Sequence, residues 1–277
     1  MSMQRTVTSL VLAPIAIAAV LLLPTPYLAA FIATICLLGL WEWARLVGID
    51  DAVPRLVYVA ANLALMAALA WGGWPVLFKI GALIGVAWWV MTVFWLARPD
   101  FGREARSWTR SLKLAAGTIS IVPAWCGMVL LHFGTPHADP HGGPRWALLA
   151  IVIVWVADSC AYVFGRRYGR RKLIPQISPG KTWAGLWGGL ICAMAVTLAC
   201  APLVGVTIPQ LPLLGLLGLL GVMASVIGDL FESLMKRHAG MKDSGTLIPG
   251  HGGVLDRIDG LLAALPVIAI GKEWLGL

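Results

Sequence analysis

The sequence predicts an all-α transmembrane helical bundle of about nine spans, with a polar cavity open to the cytoplasmic side. Three observations carry that expectation. Hydrophobic residues make up 59% of the 277 positions and charged residues 12%, against about 25% charged in soluble domains, so most of the surface must face lipid. Apolar runs long enough to cross a hydrocarbon core, roughly 17–25 residues as helix, recur along the whole chain. The basic residues collect in alternate connections.

Spans are expected near 7–23, 27–44, 55–71, 76–97, 112–133, 146–164, 183–204, 208–227 and 259–276. The first run follows Arg5 in the manner of a signal peptide, yet Pro24 and Pro26 lead directly into the next run and the charge alternation requires the helix to be retained. The connections Pro24 to Pro26, Trp71 to Pro75 and Gly205 to Ile208 carry no charge, and the one from Gly134 holds Arg145. The even-numbered connections are rich in Arg and Lys, so that eighteen basic residues fall on one side against two, Arg145 and Lys272, on the other. Basic flanks stay in the cytoplasm, which places the amino terminus inside and the carboxyl terminus outside a cell (inner) membrane. Lys79 starts the fourth span, where a lysine is expected to snorkel to the interface. The net charge of +8 therefore lines one membrane face, and a nucleic-acid partner is not expected.

Cys36, Cys126, Cys160, Cys192 and Cys200 form no CxxC pair and sit in apolar runs, so any metal should be held by oxygen. Residues 1–145 read as a transmembrane scaffold and 146–277 as the catalytic region of one continuous membrane domain, because dense polar constellations occur only in the second part.

The eighth run continues into Gly228-Asp229-Leu-Phe-Glu-Ser-Leu-Met-Lys-Arg237. As a helix it puts Asp229, Glu232, Ser233, Lys236 and Arg237 at i, i+3, i+4, i+7 and i+8, one face on which carboxylates lead and cations follow. Lys242-Asp243-Ser244-Gly245 and Pro249-Gly250-His251-Gly252-Gly253 then describe a glycine-rich loop whose backbone can approach a ligand, and Asp256, Arg257 and Asp259 open the ninth helix. Hard oxygen ligands beside phosphate-sized cation clusters point to Mg²⁺ on a polyphosphate. His251 has no second His or Cys spaced to join it and reads as a substrate contact. Asp158 lies inside an apolar run, with Tyr162 and Arg166 following at i+4 and i+8, and an ionisable group at that depth points to a cavity. Ser178-Pro-Gly-Lys181-Thr182 lacks the first glycine of a P-loop and follows a membrane helix, so it reads as an anion-binding turn feeding a helix amino terminus. Asp256-Arg-Ile-Asp-Gly260 begins like the signature of CDP-alcohol phosphotransferases, but no aspartate follows Asp259.

The string from Ser233-Leu-Met-Lys-Arg through Lys242-Asp-Ser-Gly to Ile248-Pro-Gly-His-Gly-Gly-Val-Leu-Asp-Arg-Ile-Asp259 resembles the signature of the phosphatidate cytidylyltransferases of bacterial type. Asp158 to Arg166, Ile177 to Thr182 and Glu42-Trp-Ala-Arg-Leu46 resemble further regions of that family. The resemblance implies conversion of CTP and phosphatidic acid to CDP-diacylglycerol and pyrophosphate, a Mg²⁺ cofactor with a monovalent ion as candidate companion, and a homodimer. It transfers the metal site to Asp229 and Asp256. The candidate catalytic residues are Asp229, Asp256, Lys236, Lys242 and Asp243. The candidate substrate-binding residues are Asp158, Tyr162, Arg166, Ser178, Lys181, Thr182, Ser233, Arg237, His251, Gly252, Gly253, Arg257 and Asp259. One departure stands out: where the family commonly has Glu followed by Gly after the Ser-Pro-Gly-Lys-Thr string, this chain has Ala184 before Gly185. The competing readings are a cytidylyltransferase acting on another lipid phosphate, an ion-coupled transporter with Asp158 as its ion site, and a non-catalytic lipid-binding descendant.

Overall fold

The computed structural model describes residues 3–72, 75–104, 106–134, 142–248, 250 and 252–277, with backbone alone over 3–9. Among these residues the chain forms nine α-helices: α1 (Met3–Leu22), α2 (Thr25–Leu46), α3 (Ala52–Trp71), α4 (Val76–Leu96), α5 (Ser107–Phe133), α6 (Gly142–Tyr168), α7 (Trp183–Ala199), α8 (Leu211–His238) and α9 (Leu255–Trp274). Six segments, containing α2 to α6 and α8, are long and apolar enough to cross a membrane. The chain is an integral membrane protein of mostly helical architecture. α1 and α7 contribute shorter apolar stretches, and α9 begins with Asp256, Arg257 and Asp259.

The departure from an all-helical chain is an antiparallel hairpin of β1 (Lys172–Ile174) and β2 (Ser178–Thr182), in which Lys172 faces Thr182 and Ile174 faces Ser178. The expected anion-binding turn is thus an extended strand. Pro179 is tolerated because a two-stranded ribbon leaves one edge of each strand unpaired. Thr182 ends the strand and caps α7, its Oγ1 accepting from the Gly185 amide at 3.1 Å.

α5 runs through the centre and is buried along most of its length. α8 lies along α9, and α6 along α7. The α8–α9 approach is close enough that a Cβ at Gly228 would collide with the Asp259 carbonyl, so glycine there lets the two acidic helix ends meet. The rotation of α8 is fixed by Phe231, which is 1% exposed. Its ring packs within 5.5–6.0 Å, centroid to centroid, of Trp43, Trp88, Trp89 and Trp95. A helix advances about 100° per residue, so burying Phe231 turns Asp229 roughly 160° away from that aromatic cluster. Lys79 does more than snorkel, because its Nζ pairs with Glu273 Oε1 at 2.5 Å and ties α4 to the end of α9.

Candidate active site

Two linked groups of charges meet where α6, α8, α9 and the hairpin converge. In the first, Lys181 Nζ on β2 pairs with Asp229 Oδ2 on α8 at 2.7 Å, and Ser233 Oγ donates to Asp229 Oδ1 at 3.3 Å. Asp158 on α6 lies within electrostatic reach of Asp229, Lys181 and Arg257. Asp259 on α9 lies within electrostatic reach of Asp229, Asp158 and Lys236. Three carboxylates from three helices therefore share one region with Lys181 and Arg257. Asp229 and Lys181 remain partly open, their side chains 31% and 23% exposed, so a ligand can reach both.

In the second group, Lys236 Nζ bridges Glu232 Oε2 at 2.6 Å and Asp256 Oδ1 at 2.7 Å. Asp256 Oδ2 accepts from the Gly253 amide at 2.8 Å, the Ser244 amide at 2.9 Å and Ser244 Oγ at 3.0 Å. The residue capping α9 is Val254, which has no side-chain acceptor, and Asp256, in the first turn, instead holds the loop just before the helix. Burial makes the bridge costly to break: the side chains of Lys236, Glu232 and Asp256 are 12%, 3% and 6% exposed, so neither carboxylate is well served by water.

The expected single face of α8 is two stripes. Asp229, Ser233 and Arg237 look toward the hairpin, where Arg237 Nε donates to the Ile177 carbonyl at 3.2 Å. Glu232 and Lys236 look toward α9. The reason is angular: residues at i, i+3, i+4, i+7 and i+8 spread over roughly 140°, wide enough to touch two neighbours. Of the remaining predicted residues, Arg166 donates to the Tyr162 hydroxyl at 3.2 Å on the exposed side of α6. Ser178 starts β2, Thr182 is committed to capping α7, and Lys242 and Asp243 stand exposed on the loop. Gly252 accepts through its carbonyl from the Ile248 amide at 2.9 Å and closes that loop. His251 lies outside the described residues.

The sequence is 43% identical to the phosphatidate cytidylyltransferase of Pseudomonas aeruginosa over 274 residues, covering 96% of this chain and 95% of that protein. It is 33% identical to the phosphatidate cytidylyltransferase of Haemophilus influenzae over 281 residues, covering 95% and 96%. The Staphylococcus aureus protein of the same name is 33% identical over 219 residues, 79% of each chain. The profile of the Cytidylyltransferase family matches residues 3–273. The chain belongs to the cytidylyltransferase family.

Within this cytidylyltransferase, two site residues escaped sequence reasoning. Glu42 on α2 is 3% exposed and lies 200 residues and more from its partners in sequence. Its Oε1 accepts from the Val254 amide at 3.1 Å, and its Oε2 from the Leu255 amide at 2.9 Å and Ser244 Oγ at 3.0 Å. A Cβ at Gly245 or Gly253 would fall on this carboxylate, which explains glycine at both positions. Ser244 stands between Glu42 and Asp256 with 3.0 Å to each, and its single hydroxyl proton serves one of them at a time. The signal for Glu42 was present in Glu42-Trp-Ala-Arg-Leu46, but an acid near the end of an apolar helix gives no hint of a partner so distant in sequence. Ala184, one residue into α7, is half-buried beside the Thr182 cap.

Proposed function

We propose that this cytidylyltransferase condenses CTP with phosphatidic acid to give CDP-diacylglycerol and pyrophosphate in phospholipid biosynthesis. The observation that carries the reading is near-full-length similarity to proteins named for that activity. The site geometry supports it, since carboxylates and lysines are held together at one end of a lipid-facing bundle.

The reaction needs little acid–base help. A phosphate oxygen of phosphatidic acid, already anionic, attacks the α-phosphorus of CTP in line. The new P–O bond forms as the bond to the β-phosphate oxygen breaks, and pyrophosphate leaves with the electron pair. The protein's task is to position two polyanions and neutralise their charge. Lys181, released from Asp229, and Lys236, Arg237, Lys242 and Arg257 are the cations available for those oxygens. The lipid enters sideways, leaving its acyl chains among the apolar helices.

Mg²⁺ fits the donor set in part. Asp229 offers hard oxygens on a partly open carboxylate, whereas every acceptor interaction of Asp256 shown here is with Lys236 or the loop. Among the described residues no three His, Cys, Asp or Glu side chains stand together at ligand spacing, so a Mg²⁺ ion here would take most of its oxygens from substrate and water. Asp229, and Asp256 once Lys236 leaves Oδ1, would hold Mg²⁺, which would polarise the α-phosphate and stabilise the leaving group. A monovalent companion ion and a homodimer belong to the same proposal.

The decisive experiment supplies purified protein, labelled CTP and Mg²⁺ with phosphatidic acid or with other lipid phosphates in turn. Phosphatidic acid should be the best acceptor by at least an order of magnitude. Equal use of an isoprenoid ether lipid phosphate would overturn the assignment. If Ala184 merely marks a dispensable carboxylate, wild type turns over and Ala184→Glu changes the rate less than about threefold. An inactive wild type restored by that substitution would reverse the reading.

We further propose nine crossings, with the amino terminus and the site in the cytoplasm, the carboxyl terminus outside, and the protein in the inner membrane. A carboxyl-terminal reporter should then be active only when exported. Activity confined to the cytoplasm would make α9 a re-entrant segment.

A further inference from the structure

A second polar cavity, of about 360 Å³, opens at the same end of the bundle. It lies between the ends of α2, α5 and α8 and the connection preceding α5. His238 lines it, roughly half a turn around α8 from Asp229, so the cavity and the carboxylate cluster are on opposite sides of that helix.

The charges on its wall do not balance. Its carboxylates are engaged elsewhere: Asp50 pairs with Arg55 at 3.6 Å and Glu104 with Arg106 at 2.6 Å. Arg45, Arg110 and Lys113 also line the wall, and none of them has a carboxylate partner among the described residues. Lys113 belongs to α5 and is only 8% exposed, which makes an unpaired ammonium costly. His238 Nε2 donates to the Pro99 carbonyl at 2.7 Å and ties the end of α8 to the connection between α4 and α5. Three cations without a carboxylate partner on one cavity wall, one of them on a buried residue, are the complement of an anion with several acceptor oxygens.

We propose that this cavity is a binding site for a phosphate-bearing anion, separate from the reacting centre. Lys113 supplies the buried charge and Arg45 and Arg110 the forked donors at the mouth. The phosphate could be the headgroup of an anionic lipid in the adjoining leaflet or a soluble phosphate, and both present the same oxygens to these donors.

The test uses the full-length protein in neutral-detergent micelles, with binding of fluorescent phosphatidylglycerol measured against fluorescent phosphatidylcholine. Wild type should prefer phosphatidylglycerol, and Arg45→Gln with Arg110→Gln should weaken its binding about tenfold. Both arginines are exposed, so this variant keeps its fold even if Lys113→Met does not. Lys181→Met, at the carboxylate cluster, should leave the binding unchanged. Displacement of the lipid by millimolar phosphate or pyrophosphate assigns the site to a soluble anion, and lipid held under those conditions assigns it to a headgroup. The proposal fails if the double arginine variant binds like wild type, if Lys181→Met accounts for the loss, or if neither lipid nor phosphate binds.

Discussion

Asp229→Asn and Asp256→Asn should each reduce turnover by 10²-fold or more, an order-of-magnitude expectation for losing one hard anionic oxygen from a metal–phosphate site. The two variants should differ in stability. Asp229 is partly exposed and pairs with a Lys181 that is also partly exposed, so losing that ion pair should change stability by no more than about 1 kcal/mol. Asp256→Asn can keep a carbonyl oxygen toward Ser244 and Gly253, but its amide group then meets Lys236 Nζ donor to donor. Lys236 keeps Glu232, and the buried bridge is halved, so a measurable fall in melting temperature should accompany the loss of rate. Arg98→Ala, on the exposed connection after α4, serves as the control and should cost little. The measurement is turnover against Mg²⁺ concentration alongside thermal unfolding. Near-wild-type rates for either Asn variant at limiting Mg²⁺ would remove it from the metal site, leaving Asp158, Asp243 and Asp259 as the candidates.

The helical bundle was legible because its cause is local. Apolar runs of membrane-crossing length appear in the sequence itself, and each expected span corresponds to a helix whose ends lie within a few residues except where polar turns extend it. α8 is the clearest case: hydropathy stops near residue 227, yet the helix continues to His238 because its last turns bury Phe231 among four tryptophans. The acidic and basic residues of the site were legible for a similar reason, since isolated carboxylates in apolar surroundings stand out. What could not be read was pairing. Nothing local says that Lys181 meets Asp229 across a β-strand, that Thr182 is used as a helix cap, or that one helical face divides into two stripes. Lys113 reads from the sequence as one more residue of a basic connection, and tertiary packing buries it in α5.

Glu42→Ala should be the most disruptive single change outside the reacting centre. The carboxylate accepts from two backbone amides and one hydroxyl, all in a region closed to water. Each buried donor left without an acceptor costs about 1–3 kcal/mol, so the variant should lose several kcal/mol of stability and hold the 244–253 loop loosely. Turnover should fall by roughly 10²-fold, because that loop, through Ser244 and Gly253, helps to position Asp256. Glu42→Gln separates the two effects. An amide of nearly the same volume can keep its oxygen toward Ser244 and Leu255, leaving only the Val254 amide opposed by another donor. Its melting temperature should therefore lie between those of Glu42→Ala and wild type. Its kcat should fall about tenfold while the KM for CTP moves little, since a positioning defect acts on the reacting geometry more than on ground-state binding. Should Glu42→Ala melt and turn over like wild type, the clamp from α2 onto the start of α9 would have no part in holding the site together.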